Sequence, residues 1–272
     1  MILNIIGTGN VGQTLGYLLV KHQLVQLGGV YNRTQRKALD AIDFIGQGVH
    51  YDCITDLPHA HVTLLTTPDD FITESATAFA VNKQIRPGDI VFHCSGTLSS
   101  DCLRVLKEKG CYLASVHPMK SFKQPAISVT QYAGAYCAME GDEEALAVLE
   151  PLFTAIGSIP HRIKKEKKAL YHAAAVFASN YLITLSHQAL NCLMEAGVDQ
   201  KLAMPMIVNI MQSTLTNLAT IQSPRRALTG PAQRGDIATI ELHLSAFTDE
   251  QQKALYKSLL QATLAMVDET RV

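Results

Sequence analysis

The chain has 272 residues and a formal net charge of −1, with 23 Lys and Arg against 24 Asp and Glu. At 47% hydrophobic and 17% charged it has an ordinary globular profile, long enough for about two domains. The near-neutral balance gives no support for nucleic acid or an anionic membrane surface as a partner. The six cysteines are scattered without a C-x-x-C pair, which argues against a disulfide framework or a zinc site and fits a reducing cytoplasm.

Ile2, Leu3, Ile5 and Ile6 form a short apolar run of strand length. No basic segment precedes it, so it does not read as a secretory signal. The run breaks at Gly7-Thr8-Gly9-Asn10-Val11-Gly12, a G-x-G-x-x-G motif, and a helical pattern of Val11, Leu15, Leu18 and Leu19 follows. Strand, glycine turn and helix together point to a dinucleotide site. Gly7 permits the turn, Gly9 lets a pyrophosphate approach the backbone, and Gly12 lets helix and strand lie close. The phosphates would meet the free N–H groups of the helix N-terminus.

Val25 to Tyr31 is the second predicted strand, ending in Asn32-Arg33-Thr34. NAD-binding folds carry an acid near this point for the ribose 2′-OH. A neutral Asn followed by Arg and Thr favours the extra phosphate of NADP. Thr34 is also the expected N-cap of a helix from Gln35 to Ile45.

Val49 to Ile54 reads as a short strand and Val62 to Thr66 as a clearer one. Thr67 and Pro68 follow at its carboxyl end, where a cofactor ribose would lie, with Asp69 or Asp70 capping a helix to Gln84. Asp89 to Cys94 is a further strand, ending in Ser95-Gly96-Thr97, and Ser99 and Asp101 suit the start of a helix to Lys109. Tyr112 to Val116 is the next strand, ending in His117-Pro118-Met119-Lys120. Ser95, Gly96 and His117 are therefore expected on the same sheet edge as Gly9, where nicotinamide and substrate would meet. His117 is a candidate for acid–base catalysis and for substrate binding; Lys120 reads as a solvated charge. Ala133 to Met139, a helix from Gly141 to Ile156, and an edge strand from Ser158 to Ile163 complete a doubly wound, parallel α/β domain over residues 1–163.

The composition shifts at Lys164-Lys165-Glu166-Lys167-Lys168, read as solvated surface, and residues 164–272 are expected to form a helical domain for substrate binding and dimerisation. Ala169 to Ala196 is read as one long helix, too polar in places for a membrane span and apolar enough to be buried between helices or subunits. His172, Ser179 and Asn180 would share one face of it. His172 and Asn180 are candidate catalytic residues and Ser179 a candidate substrate ligand. Lys201 to Leu218 is a second long helix. In the loop that follows, Arg234 could anchor an anionic substrate or tie the loop to Asp236. Thr239 to Leu244 and Asp249 to Asp268 are helical. His59 and His61 are the one ligand-like histidine pairing, and no metal site is expected.

The GTGNVG turn, NRT after the second strand, SVHPMKSF, YHAAAVFASNYL and GPAQRGD together resemble the Rossmann-like family that carries the domain of unknown function 2520, whose members are labelled NADP-dependent oxidoreductases. The resemblance covers nearly the whole chain. The wider superfamily is similar to 6-phosphogluconate dehydrogenase, ketopantoate reductase, pyrroline-carboxylate reductase, prephenate dehydrogenase and the β-hydroxyacid dehydrogenases. It implies an N-terminal Rossmann domain with NADP(H), followed by a helical domain that often dimerises. The His-Pro-Met step of prephenate dehydrogenases supports His117. The Lys and Asn on the first long helix of β-hydroxyacid dehydrogenases do not carry over residue by residue, since this helix offers His172 and Asn180. The resulting expectation is a cytoplasmic, homodimeric NADP(H)-dependent oxidoreductase. It would move a hydride to or from a small carbonyl, imine or alcohol substrate that could bear a carboxylate. The alternative is an NADP-sensing or binding protein without turnover. Fold alone does not fix the substrate.

Overall fold

The computed structural model describes residues 1–268. They fall into two compact units, one ending at Ser179 and one beginning at Asn180. The first unit is built on β1 (Ile2–Ile6), α1 (Asn10–Lys21), β2 (Gln26–Tyr31), α2 (Gln35–Ile45), β3 (Val49–His50), β4 (Val62–Leu65) and α3 (Asp69–Phe79). It continues with β5 (Ile90–His93), β6 (Tyr112–Pro118), α4 (Pro125–Thr130), β7 (Tyr136–Gly141), α5 (Glu143–Ala155), β8 (Ile159–Arg162) and α6 (Lys168–Ala178). The eight strands form one sheet in the order β3-β2-β1-β4-β5-β6-β7-β8.

Apolar residues at successive positions of a central strand face opposite sides, so strands covered on both faces read as continuous hydrophobic runs. Ile5, Leu64 and Phe92 join Leu15, Leu19 and Phe153 in one core layer, while their neighbours Ile6, Leu65 and Val91 join Ile72, Phe79 and Leu103 in the other. The register then levels the carboxyl ends. Ile6 pairs with Leu65, Leu65 with His93, and His93 with Ser115, all in parallel. The residues just beyond them, from Gly7 to His117, therefore share one edge of the sheet.

The sheet is not parallel throughout. The short helix α4 returns the chain so that β7 runs antiparallel to β6, with β8 parallel to β7. The segment after Ser99 is a 3-10 helix, Ser100–Lys109, and α3 stops at Phe79, short of the expected Gln84.

The expected single helix from Ala169 to Ala196 is two helices. α6 ends at Ala178, Ser179 leaves helical geometry at φ −122° and ψ −66°, and α7 (Asn180–Glu195) starts anew. α6 packs with the first unit, so the compact boundary falls at Ser179, later than the residue 163 at which the sequence composition changes. The domain expected to reach residue 272 ends in four residues outside the described range.

The second unit contains α7, α8 (Gln200–Ile221), α9 (Pro224–Ala227), α10 (Pro231–Arg234), α11 (Ile237–Ala246) and α12 (Glu250–Asp268). α7 packs on α8, and α10, α11 and α12 pack together. Asp199 caps α8 by accepting from the Lys201 N–H at 2.8 Å, and Asp236 caps α11 by accepting from the Thr239 N–H at 3.1 Å. Among the described residues, no helix is long and apolar enough to cross a membrane.

Candidate functional site

The glycine turn is built as its spacing requires. Gly7 has φ +95°, and a Cβ there would come within 2.6 Å of the Thr67 nitrogen. A side chain on Gly12 would strike the Thr66 hydroxyl and the Gly7 carbonyl, so α1 can lie against the β1–β4 edge only with glycine there. Gly9 differs from both. A Cβ on it would meet nothing nearer than the Thr66 carbonyl at 4.0 Å. Gly9 is the N-cap of α1 and has no side chain to satisfy the first-turn N–H groups. It borders a cleft of about 670 Å³, which Gly7, Thr8, Asn10, Asn32, Arg33, Thr34, Thr67 and Pro68 also line. Donors facing open space are what a pyrophosphate needs. Thr67, which lines the same cleft, has a buried hydroxyl with no partner among the described residues.

At the far end of the cleft Asn32 acts as a bracket. Its Oδ1 accepts from the Thr8 N–H at 3.3 Å and its Nδ2 donates to the Thr34 carbonyl at 3.1 Å. Arg33 lies 5.4 Å from the centre of the Phe71 ring. Thr34 is the N-cap of α2, as expected, yet its side chain makes no capping bond and its hydroxyl stays available. Lys37 also lines the cleft, one turn into α2. The sequence reading missed it, although a cation three residues after Thr34 on a helix was a usable signal. Of the two acids on the wall, Asp40 is held by Arg36 at 2.9 Å, and Glu74 lies on α3.

Three of the expected cofactor residues have side chains engaged within the chain. Asn10 donates its amide to the Phe122 and Lys123 carbonyls, both at 2.9 Å, and so fastens the loop after β6. Val11 packs against the core. The Ser95 hydroxyl donates to Asp69 Oδ2 at 2.7 Å and accepts from the N–H groups of Thr97 and Leu98, at 3.1 and 2.9 Å. Its hydrogen-bonding capacity is filled inside the turn. Asp69 therefore anchors this turn and is not a helix cap.

The turn presents Gly96. A Cβ on it would collide with the His172 ring and lie 2.9 Å from His117 Nε2, so glycine is needed because two imidazoles cover it. The two rings are 5.7 Å apart, edge to face. Burial, with the Lys168 charge as the second cause, pulls His117 down to about 4, so it is neutral near pH 7. His172 Nδ1 is hydrogen-bonded to the Thr97 hydroxyl at 3.2 Å. Beneath the turn, fully buried His93 accepts from the Ser95 N–H at 3.1 Å through Nδ1 and donates to the Ser99 carbonyl at 3.2 Å through Nε2. Burial first, then Lys168, pulls it to about 3.

Lys168 overturns the reading of its charge run as solvated surface. Its side chain is 2% exposed, it donates to Ser115 Oγ, and its Nζ lies 3.7 Å from Glu140 Oε1. Glu140 in turn accepts from the Ser100 N–H and hydroxyl, both at 2.8 Å. Burying two charges costs several kcal/mol per ion unless hydrogen bonds surround them, and here they do. The pair pins the first residue of α6 to β6 and β7, which carries Tyr171 and His172 over the sheet edge. The helix thus begins with a lysine that a start at Ala169 leaves out.

The shared face expected for His172, Ser179 and Asn180 assumed an unbroken helix, and the break at Ser179 removes that assumption. Ser179 is exposed at the end of α6, while Asn180 and Arg234 are exposed residues of the second unit. The Asp236 carboxylate is engaged by Thr239, which holds it below its ordinary range.

Two family models match this chain. Residues 1–118 match a Rossmann-like domain, and residues 135–263 match the domain of unknown function DUF2520. The N-terminal stretch is thus similar to a Rossmann-like domain and the C-terminal stretch to DUF2520. The DUF2520 match begins before β7, so Glu140, Lys168 and His172 lie inside it while the glycine turn, Gly96 and His117 lie in the Rossmann-like part. Among solved structures, protein TM1727 of Thermotoga maritima is 26% identical, with a TM-score of 0.76 over 99% of this chain and 100% of its own. A Bacteroides fragilis protein with the provisional name NADP oxidoreductase BF3122 is 20% identical, with a TM-score of 0.78 over 97% and 98%. An imine reductase from Myxococcus stipitatus, solved with NADP+, is 14% identical, with a TM-score of 0.69 over 99% and 93%. These likenesses establish the fold over the full length of both partners. No curated protein matches the chain.

Proposed function

We propose that the chain is an NADP(H)-dependent oxidoreductase that acts on a small carbonyl, imine or alcohol carbon presented at Gly96. The observation that carries this reading is the glycine held under two imidazoles, two strands along the sheet edge from the open donors at Gly9. Arg33, Lys37 and the free Thr34 hydroxyl would hold a 2′-phosphate, and no acid follows β2 to repel it. The N-terminus of α1 would hold the pyrophosphate. A nicotinamide, when bound, supplies or receives the hydride. The protein's part is to seat the reacting carbon over Gly96 and to move a proton to or from its oxygen or nitrogen through His117 and His172. NADP-named structures with the same fold support this choice of cofactor.

The second unit supports a homodimer as the working form. Ile183, Ile210 and Leu242 are each between 63% and 70% exposed in the single chain, and a second copy with the same apolar faces is the partner that would cover them.

The test is NADPH oxidation against a panel of small keto acids and cyclic imines, on the native chain and on His172→Ala. The native chain should oxidise NADPH with at least one class. The variant should lose turnover by about a hundredfold or more while keeping NADPH affinity within a few fold. Tight NADPH binding with no turnover on any substrate would favour the sensor reading. Loss of cofactor binding in the variant would remove the acid–base role.

A further inference from the structure

A neutral imidazole gives up a proton from one nitrogen only if it gains one at the other in the same event. Imidazolate is otherwise far too basic to form near pH 7. His117 faces Gly96 through Nε2, and its Nδ1 is buried without a partner among the described residues. Besides the Thr67 hydroxyl at the cofactor cleft, two more buried polar atoms of the unit share that condition, and both lie near His117: the Tyr171 hydroxyl and His161 Nδ1. Buried polar atoms are almost always hydrogen-bonded, directly or through ordered water. Three such atoms in one place call for a common explanation.

The sheet register supplies it. His117 on β6 pairs with Ala138 on β7, and Ala138 pairs with His161 on β8. The two histidines thus stand on one face in one row, two strands apart, with only a methyl group between them. Tyr171, on α6, fills the gap. Its ring centre is 5.8 Å from that of His117 and 5.9 Å from that of His161. The row ends at the outside of the sheet, where β8 is the last strand and His161 meets the exposed Tyr136 at 6.3 Å.

We propose that His117, Tyr171 and His161 form a water-bridged proton relay that links the groups over Gly96 to solvent at the β8 edge. The proposal rests on the reductase reading for its purpose, though not for its existence. In the reducing direction, the substrate oxygen or nitrogen gains the proton from Nε2 of His117 as the hydride reaches its carbon. His117 Nδ1 gains a proton that originates from the Tyr171 hydroxyl. The Tyr171 oxygen regains one from His161, and His161 takes one from water at the edge. No group is left charged; the two imidazoles end as their other tautomers and reset by ring rotation or by proton exchange with water before the next turnover, and the net event is one solvent proton consumed per hydride. Burial keeps the inner members uncharged, with His117 lowered to about 4 and Tyr171 raised to about 12, so the proton passes without leaving a charge behind.

Two measurements test the relay separately from the function. The first uses the full chain with nitrogen-15-labelled histidine and no substrate. Tyr171→Phe keeps the ring and removes the hydroxyl, so it should shift the ring-nitrogen resonances of both His117 and His161 and leave His243 unmoved. Tyr256→Phe, at the separate His243–Tyr256 bond of 2.8 Å, should do the reverse. If Tyr171→Phe moves only one of the two histidines, or neither, the line does not exist. The second uses NADPH oxidation with whichever substrate the panel gives. His161→Ala should lower kcat about tenfold, with KM and NADPH affinity unchanged and with rescue by added imidazole. That loss is smaller than the roughly hundredfold expected for a group donating directly to substrate. A native kcat in His161→Ala overturns the relay. A chain that never oxidises NADPH refutes the proposed function and leaves the resonance test to decide the line itself.

Discussion

The two units of this chain solve the burial problem differently. In the first, both faces of an eight-stranded sheet are covered, and the two layers hold residues such as Leu64, Leu65 and Phe153 at no exposure. In the second, among the described residues, Ala203, Ile207 and Ile240 are the only buried apolar side chains, and long helices leave leucine and isoleucine facing outward. A helix is stable in a protein chiefly through the apolar face it buries. The first unit therefore contains its own reason to fold. On the proposed homodimer, the helices of the second would gain theirs by covering one another's faces across two copies. Gly9, Gly96, His117 and His172 all sit on the first unit.

That contrast can be broken or sharpened by experiment. The largest effect is expected at Lys168. Lys168→Ala leaves Glu140 buried without its cation, and such losses cost about 3–5 kcal/mol. Urea unfolding should show it, and Lys168→Met combined with Glu140→Gln should recover much of the loss. Full native stability in the single variant would mean the pair does not pin α6.

The next effect is on pH. His93 is lowered to about 3 in the folded chain from 6.5. Above pH 6.5 both states are neutral there and the group contributes nothing. Below it the unfolded chain takes up a proton that the folded chain refuses, so stability falls as pH drops from 6.5 towards 3. At about 1.4 kcal/mol per unit the full loss from this group is about 5 kcal/mol, and His117, lowered to about 4, adds to it. Unfolding followed across that window should show the slope, and His93→Asn should flatten it. A flat native profile would mean His93 charges freely.

The smallest effect separates the units most cleanly. Ile210 is 63% exposed in one chain, and truncating an exposed side chain changes stability by less than about 0.5 kcal/mol. In a dimer the same truncation should cost about 1–3 kcal/mol, and the melting temperature should rise with protein concentration. A concentration-independent melting temperature with a silent Ile210→Ala would leave the second unit a monomeric bundle.

What the sequence made legible follows the same division. The glycine turn, the Asn32-Arg33-Thr34 step and the succession of strands and helices in the first half were readable because each depends on near neighbours in sequence. Lys168 was not. It stands in a run of five charged residues, and only β6 and β7, through Ser115 and Glu140, decide that it alone is buried. His161 and Tyr171 were missed for a related reason, since their row exists only through the β6–β7–β8 register, including an antiparallel pair that no local signal announced. The break at Ser179 lacks the Pro or Gly that marks a helix end. Ser95 and Asn10 were assigned to a ligand on position, and the side-chain bonds they make within the chain depend on distant partners, Asp69 and the loop at Phe122, that no local signal announced.

The central claim is that the cleft beside Gly9 takes NADP(H) and prefers it to NAD(H). The chain has no tryptophan, so emission from bound reduced nicotinamide can be followed directly in a titration of the native protein with NADPH and with NADH. Charge-assisted bonds from Arg33 and Lys37 to a 2′-phosphate should make NADPH bind at least about tenfold tighter, a difference that Arg33→Ala should largely erase. Equal binding of the two would discard the 2′-phosphate site, and binding of neither would make the glycine turn a structural feature alone.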